Sequence, residues 1–183
     1  MHTSFFRRSF RASVLVLFLI ASVALRDLDA ATSPEYQLKA AFLLNFTKFV
    51  EWPPAAFRLP DSPIAICIIG DDPFGSDLDR LVEGEAVDGH RIVVSRFAHL
   101  PEAQACQVAF FSKSAPIAEE LPMGAASPVL TVGERAGFLK SGGVIELSVE
   151  DRRVRFSVSQ KAAETNGLKV SSRLLNVAKT VER

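Results

Sequence analysis

This chain has little that is suited to catalysis. Its 183 residues include two Cys, two Met, one Trp, one Tyr and three His. No two His stand at helical spacing, so a zinc site has no support. There is no G-x-S-x-G nucleophile elbow and no phosphate-cradling glycine loop ending in Lys-Ser or Lys-Thr. Charge of one sign is also missing, with 21 basic side chains against 21 acidic ones. No basic patch or block of like charge is present, which excludes nucleic acid and anionic lipid as natural partners. Phenylalanine is plentiful, with fourteen copies.

The N-terminus reads as an export signal. His2, Arg7, Arg8 and Arg11 form a basic start, followed by the uncharged run Ala12–Ala24 (ASVLVLFLIASVA) and the small-residue site Leu28-Asp29-Ala30-Ala31. This is the layout of a secretory signal peptide cleaved after Ala30 or Ala31. The apolar run is too short for a membrane span. No cysteine sits at the cleavage site, so a lipid anchor is not expected. Arg7-Arg8-Ser9-Phe10 is similar to a twin-arginine signal, but the strongly apolar run favours the general secretory route. Residues 1–31 are therefore expected to be a cleavable signal and residues 32–183 a single domain. Cleavage after Ala30 removes four arginines and two aspartates, leaving 17 basic and 19 acidic side chains. An exported protein meets neither ATP nor NAD, which counts against kinases and dehydrogenases.

Two cysteines, Cys67 and Cys106, remain in an oxidising compartment, where an even count reads as a disulfide. Two buried free thiols are the alternative. They are too few to hold a metal, and no His stands near them.

Along the chain, Ser33-Pro34-Glu35 starts a helix that should end before Trp52-Pro53-Pro54, because a residue ahead of proline avoids the helical region. Leu38, Phe42, Phe46 and Phe49 share one face of it, and Leu44 projects on the polar side. Strand-like runs follow at 63–70, 91–97, 107–112 and 128–132. Helical segments are expected at 74–82 and 116–123, with a helical turn at 134–139. The runs 143–149 and 153–159 read as an antiparallel hairpin. A short helix at 160–165 and a final helix from about 171 to 181 complete the order. Alternating strands and helices predict a three-layer α/β domain. It has a mainly parallel sheet, helices on both faces and a C-terminal antiparallel hairpin at the edge. If the first and third strands are neighbours, Cys67 and Cys106 can meet.

The most site-like loop is Gly70–Gly75 after the first strand, where Asp71, Asp72 and Phe74 offer a small-molecule crevice. The adjacent acids would repel phosphate, and a phospho-receiver site fails because the third strand ends in Phe110-Phe111-Ser112. His90 and His99 read as solvated loop residues. Glu146, Glu150 and Asp151 read as a wet hairpin rather than a paired-carboxylate site. No catalytic residue, metal or cofactor is expected. A protein without chemistry needs anchors for a partner. The candidates are Leu44, Trp52 and the 166–173 segment with Asn166, Lys169, Ser171 and Arg173.

Two stretches resemble a known family. One is YQLKAAFLLNFTKFVEWP at 36–53, ahead of IAICIIGDDPFG at 64–75. The other begins with VGE at 132–134 and GFLKSGGVIELSVEDRRVRFSVS at 137–159. It continues with Ala162-Ala163 and with GLKVSSRLL at 167–175 followed by Asn-Val-Ala-Lys. In this order they resemble the YfiR-like family of periplasmic regulators. The resemblance implies a compact, often dimeric α/β domain that is not an enzyme. It implies repression of an inner-membrane diguanylate cyclase through that enzyme's periplasmic region, lowering cyclic di-GMP and biofilm output. It also implies an outer-membrane lipoprotein that sequesters the regulator. Cys67 and Cys106 match a cysteine pair of the family. Where some members carry a second pair, this chain has Ser141 and Ser148. A periplasmic small-molecule binding protein is the competing expectation.

Overall fold

The computed structural model describes residues 32–101, 105–115, 121, 124 and 127–183. The expected signal at 1–31 and the expected helix at 116–123 lie wholly or mostly outside these residues. Helix α1 (Pro34–Phe49) leads into the two-residue strand β1 (Val50–Glu51) and a 3-10 turn at Pro54–Ala56. The chain continues through β2 (Ile64–Ile69), α2 (Ser76–Val82), β3 (Ala86–Val87), β4 (His90–Phe97), β5 (Val108–Phe111) and β6 (Leu130–Gly133). It ends with β7 (Ile145–Glu150), β8 (Arg153–Ser159), α3 (Gln160–Thr165), β9 (Lys169–Val170), α4 (Ser172–Val177) and β10 (Thr180–Glu182).

Eight strands form one sheet in the order β10-β8-β7-β6-β5-β2-β4-β3. Strands β4, β2, β5, β6 and β7 run parallel to their neighbours, and β7–β8 and β3–β4 are antiparallel pairs. The all-buried run IAICII of β2 lies near the centre, as a strand covered on both faces must. Two-residue turns close both hairpins. Asp88 and Gly89 have φ of 51° and 86°, and Asp151 and Arg152 have φ of 49° and 60°. These left-handed pairs match the right-handed twist of the strands they join.

The two faces of the sheet are built differently. Ile64, Ile66, Ile68, Val108, Phe110, Leu130 and Val132 point to one face and pack with Leu43 and Phe46 of α1, Phe74 of the loop before α2, and Leu78 of α2. Ala163 of α3 and Leu174 of α4 join the same cluster. Phe46 and Phe156 meet edge-on at 5.2 Å, and Phe74 and Phe110 at 4.9 Å. The alternate residues Ala65, Cys67, Ile69, Ala109 and Phe111 form a second cluster with Cys106, Val129 and Phe138. Phe138 comes from the turns between β6 and β7 and lies directly on backbone. A Cβ added at Gly133 or Gly143 would sit 2.3 or 2.2 Å from its ring. Only glycine lets a ring approach two strands that closely.

Several expectations need correction. Residues 134–139 form turns rather than a helix. The final helix stops at Val177, and residues 180–182 become β10, parallel to β8 with Val181 opposite Val158. The open edge of β8 competes for this β-branched segment and wins, leaving Val177 68% exposed instead of on a buried stripe. The hairpin is therefore one strand in from the edge. Leu38 is 46% exposed, and Leu44, expected to face solvent, is buried among the core side chains. The helix packs on a broader arc than the Phe stripe marks, because α4 and β8 also contact it.

Candidate functional site

α1 ends where Trp52-Pro53-Pro54 begins, and the chain extends into β1 to pair antiparallel with β9. Val50 stands opposite Val170 and Glu51 opposite Lys169. The Ser171 amide donates to the Phe49 carbonyl at 2.9 Å, and the Ser171 hydroxyl accepts from the Arg173 amide as the N-cap of α4. This ribbon brings Trp52 and the segment bearing Lys169, Ser171 and Arg173 into one region, although about 120 residues separate them in sequence. Lys169 and Arg173 are exposed. Asn166 is not, being 2% exposed, with its amide accepting from the Gly124 amide at 3.0 Å and donating to the Val129 carbonyl at 3.2 Å. Its backbone amide caps α3, and its buried side chain is taken up by Gly124 and Val129 rather than presented to a partner.

Trp52 is half-buried. Its indole Nε1 donates to the Gln107 carbonyl at 3.1 Å. Gln107 is 2% exposed, accepts from the Ala65 amide at 2.8 Å and donates to the Ala56 carbonyl at 2.7 Å. The Trp-Pro-Pro turn is thereby pinned to the end of the sheet. His90 starts β4 rather than lying in a solvated loop. It stacks on Phe57 with ring centroids 4.2 Å apart and planes inclined by 13°. His99 is exposed.

The Gly70–Gly75 loop is held together by its own contacts. Phe74 is fully buried. Asp72 accepts from the Phe74 amide at 2.8 Å and from Arg96 Nε at 2.6 Å. Arg96 also holds both carboxylate oxygens of Asp79 and the Gly75 carbonyl. The Arg96 guanidinium hydrogen bond holds the Asp79 carboxyl below its ordinary value, and the same contacts raise the guanidinium's own. Of the three candidate residues, only Asp71 is exposed. On the hairpin, Glu146 accepts from the Leu139 amide, and Glu150 pairs with Lys179, whose hydrogen bond lowers the Glu150 carboxyl.

One charged cluster escaped sequence reasoning. Lys39 on α1 is 2% exposed and reaches Glu35 and Glu134, each at 2.5 Å, while the Glu134 side chain is 1% exposed. Tyr36 donates to Glu134 at 3.2 Å, and its hydroxyl is pushed up to about 12, first by burial and then by the Glu134 charge. The Lys113 amide also donates to Glu134. The signals were the i,i+4 spacing of Glu35 and Lys39 and the acid at the end of the VGE motif. The arrangement locks α1 to the end of β6.

Cys67 and Cys106 are bonded, with Cα atoms 5.8 Å apart, across neighbouring β2 and β5. Among the described residues, no three His, Cys, Asp or Glu gather to hold a metal ion, and no helix is long and apolar enough to cross a membrane. What the fold and site define is a disulfide-stapled α/β domain with an anchored aromatic turn. The YfiR/HmsC-like family model matches residues 36–179, and the chain belongs to that family. No curated protein matches. A solved structure, a conserved domain protein from Vibrio cholerae O1 biovar El Tor str. N16961, is similar at 11% identity and a TM-score of 0.47. The match covers 82% of this chain and 60% of that one, so this chain spans less than two thirds of its length.

Proposed function

We propose that this protein is a periplasmic, non-enzymatic regulator. It represses an inner-membrane diguanylate cyclase by contact with that enzyme's periplasmic region, lowering cyclic di-GMP and biofilm output. The observation that carries this reading is the family match over residues 36–179. The Gly70–Gly75 loop, held together by its own contacts, also favours it over small-molecule binding at that loop. The contact face is the ribbon region, where Trp52, Lys169, Ser171 and Arg173 lie together. Repression works by population shift. The regulator stabilises an inactive cyclase arrangement by as much as its affinities for the two states differ. A homodimer and an outer-membrane lipoprotein that sequesters the regulator complete the proposed circuit.

The test is cellular cyclic di-GMP in a strain lacking the gene, complemented with the wild-type chain or with Lys169→Glu/Arg173→Glu. Loss of the gene should raise the level severalfold, the wild-type chain should restore it, and the charge-reversed chain should not at equal periplasmic abundance. An unchanged level in the deletion strain overturns the regulatory reading. Full restoration by the charge-reversed chain moves the contact face elsewhere.

A further inference from the structure

Two adjoining cavities open beside the Trp-Pro-Pro turn, and Trp52, Phe57 and His90 line both. These walls are fixed in place. The indole is held by the Gln107 carbonyl, and His90 Nδ1 lies 2.6 Å from the Ser62 carbonyl, so that nitrogen carries the proton and donates. The Phe57–His90 stack divides the two spaces.

The first cavity, about 360 Å³, adds Glu51, Ile64 and Asp88 to the three rings, and neither Lys nor Arg is among its lining residues. The second, about 350 Å³, carries Arg58, Leu59 and Pro60 instead. Both volumes fall in the range of small-ligand sites, about 300–1,000 Å³. Electron-rich ring faces together with carboxylates favour a cation that has apolar surface, because the ring quadrupole and the acids attract the same charge. A hard metal ion would find two carboxylates and three rings where it needs six or more oxygens. An anion would meet repulsion. Glu51 does have a partner in Lys169, but at 3.9 Å with side chains 77% and 84% exposed, a pair that water screens strongly.

We propose that the first cavity is a binding site for a small organic cation, an ammonium group on an apolar body. The ammonium lies against Trp52 and Phe57 between Glu51 and Asp88, and the apolar portion faces Ile64. The proposal does not depend on the regulatory reading.

Trp52 is the sole tryptophan, so its fluorescence and its indole N–H resonance both report on this site. The probes are choline and 3,3-dimethyl-1-butanol, which share a shape and differ in charge, titrated at constant ionic strength. Choline should produce a saturable change in both signals, and the neutral alcohol should bind at least about tenfold more weakly. Glu51→Gln/Asp88→Asn keeps the side-chain shapes, and Asn tolerates the left-handed φ at 88. That variant should melt as the wild type does and lose about tenfold in choline affinity. Equal responses to choline and the alcohol overturn the proposal, as does unaltered choline binding by the variant. Absence of saturation with choline also overturns it. Saturation by L-arginine amide alone would reassign the cavity to a partner's basic side chain and overturn the small-cation proposal.

Discussion

Among the described residues, four helices pack on one face of the sheet against large side chains of its central strands. The opposite face presents Ala65, Ile69, Ala109 and Phe111 together with the Cys67–Cys106 bridge, and among the described residues the Phe138 ring, seated on glycines, packs onto it. The first face is stabilised by area removed from water, about 25 cal/mol per Å² of apolar surface. The second also carries a covalent link, which restricts the unfolded chain. The same strands thus combine burial on one face with burial and a staple on the other.

The comparison can be broken most severely at Lys39. Lys39→Met strands Glu134 as a buried charge on the helix face and should cost about 3–5 kcal/mol in urea unfolding. Lys39→Met/Glu134→Leu should recover most of that loss. A single-variant cost under about 1 kcal/mol would show that the pair does not lock α1. On the other face, Cys67→Ser/Cys106→Ser opens a loop of 39 residues and should cost about 4 kcal/mol by the chain-entropy estimate. An unchanged urea midpoint would remove the staple from the comparison.

Gly133→Ala drives a methyl into the Phe138 ring and should cost about 1–3 kcal/mol. The double variant with Phe138→Leu tests whether the clash is the cause. Two pH limits separate the ionic contacts. The Tyr36 hydroxyl titrates at about 12 in the folded chain and near 10 in the unfolded one. Its contribution is therefore complete below pH 10 and is lost as pH rises from 10 to 12, and Tyr36→Phe should flatten that fall. The Asp79 carboxyl is lowered from 3.8, so its contribution holds above pH 3.8 and fades as pH falls below it, unless Arg96 is replaced. The smallest effect belongs to Arg152→Gly, which relieves a non-glycine left-handed φ and should raise stability in urea unfolding by under about 1 kcal/mol.

Most of the architecture was legible in residue patterns. Unbroken apolar runs marked β2 and β5, and alternation marked β8 and its hairpin with β7, because each reports a local period; the two-residue β3 was too short to show one. The final helix misled because Val181 falls on a helical stripe with Leu174, Val177 and Ala178 as well as suiting a strand, and only the open edge of β8 decides between them. Trp52, Lys169, Ser171 and Arg173 were picked from sequence as candidate anchors, but their nearness was not legible, since it depends on the β1–β9 register. Leu44 and Asn166 failed because burial of a helix side or a cap depends on what arrives from elsewhere in the chain. Lys39 was missed for the same reason, as its partner Glu134 lies 95 positions away.

The two-residue ribbon of β1 with β9 also sets an order of events in folding. It joins Val50 to Val170 and cannot form until nearly the whole domain is in place, so α1 must first be held by contacts that are themselves mostly non-local. Closing it costs the entropy of a long loop for only two residue pairs, and a contact made after the rate-limiting step acts on the unfolding rate alone. Val170→Ala should then accelerate unfolding in stopped-flow measurements and leave the refolding rate unchanged. The ribbon is a latch that closes last and governs how long the closed state survives.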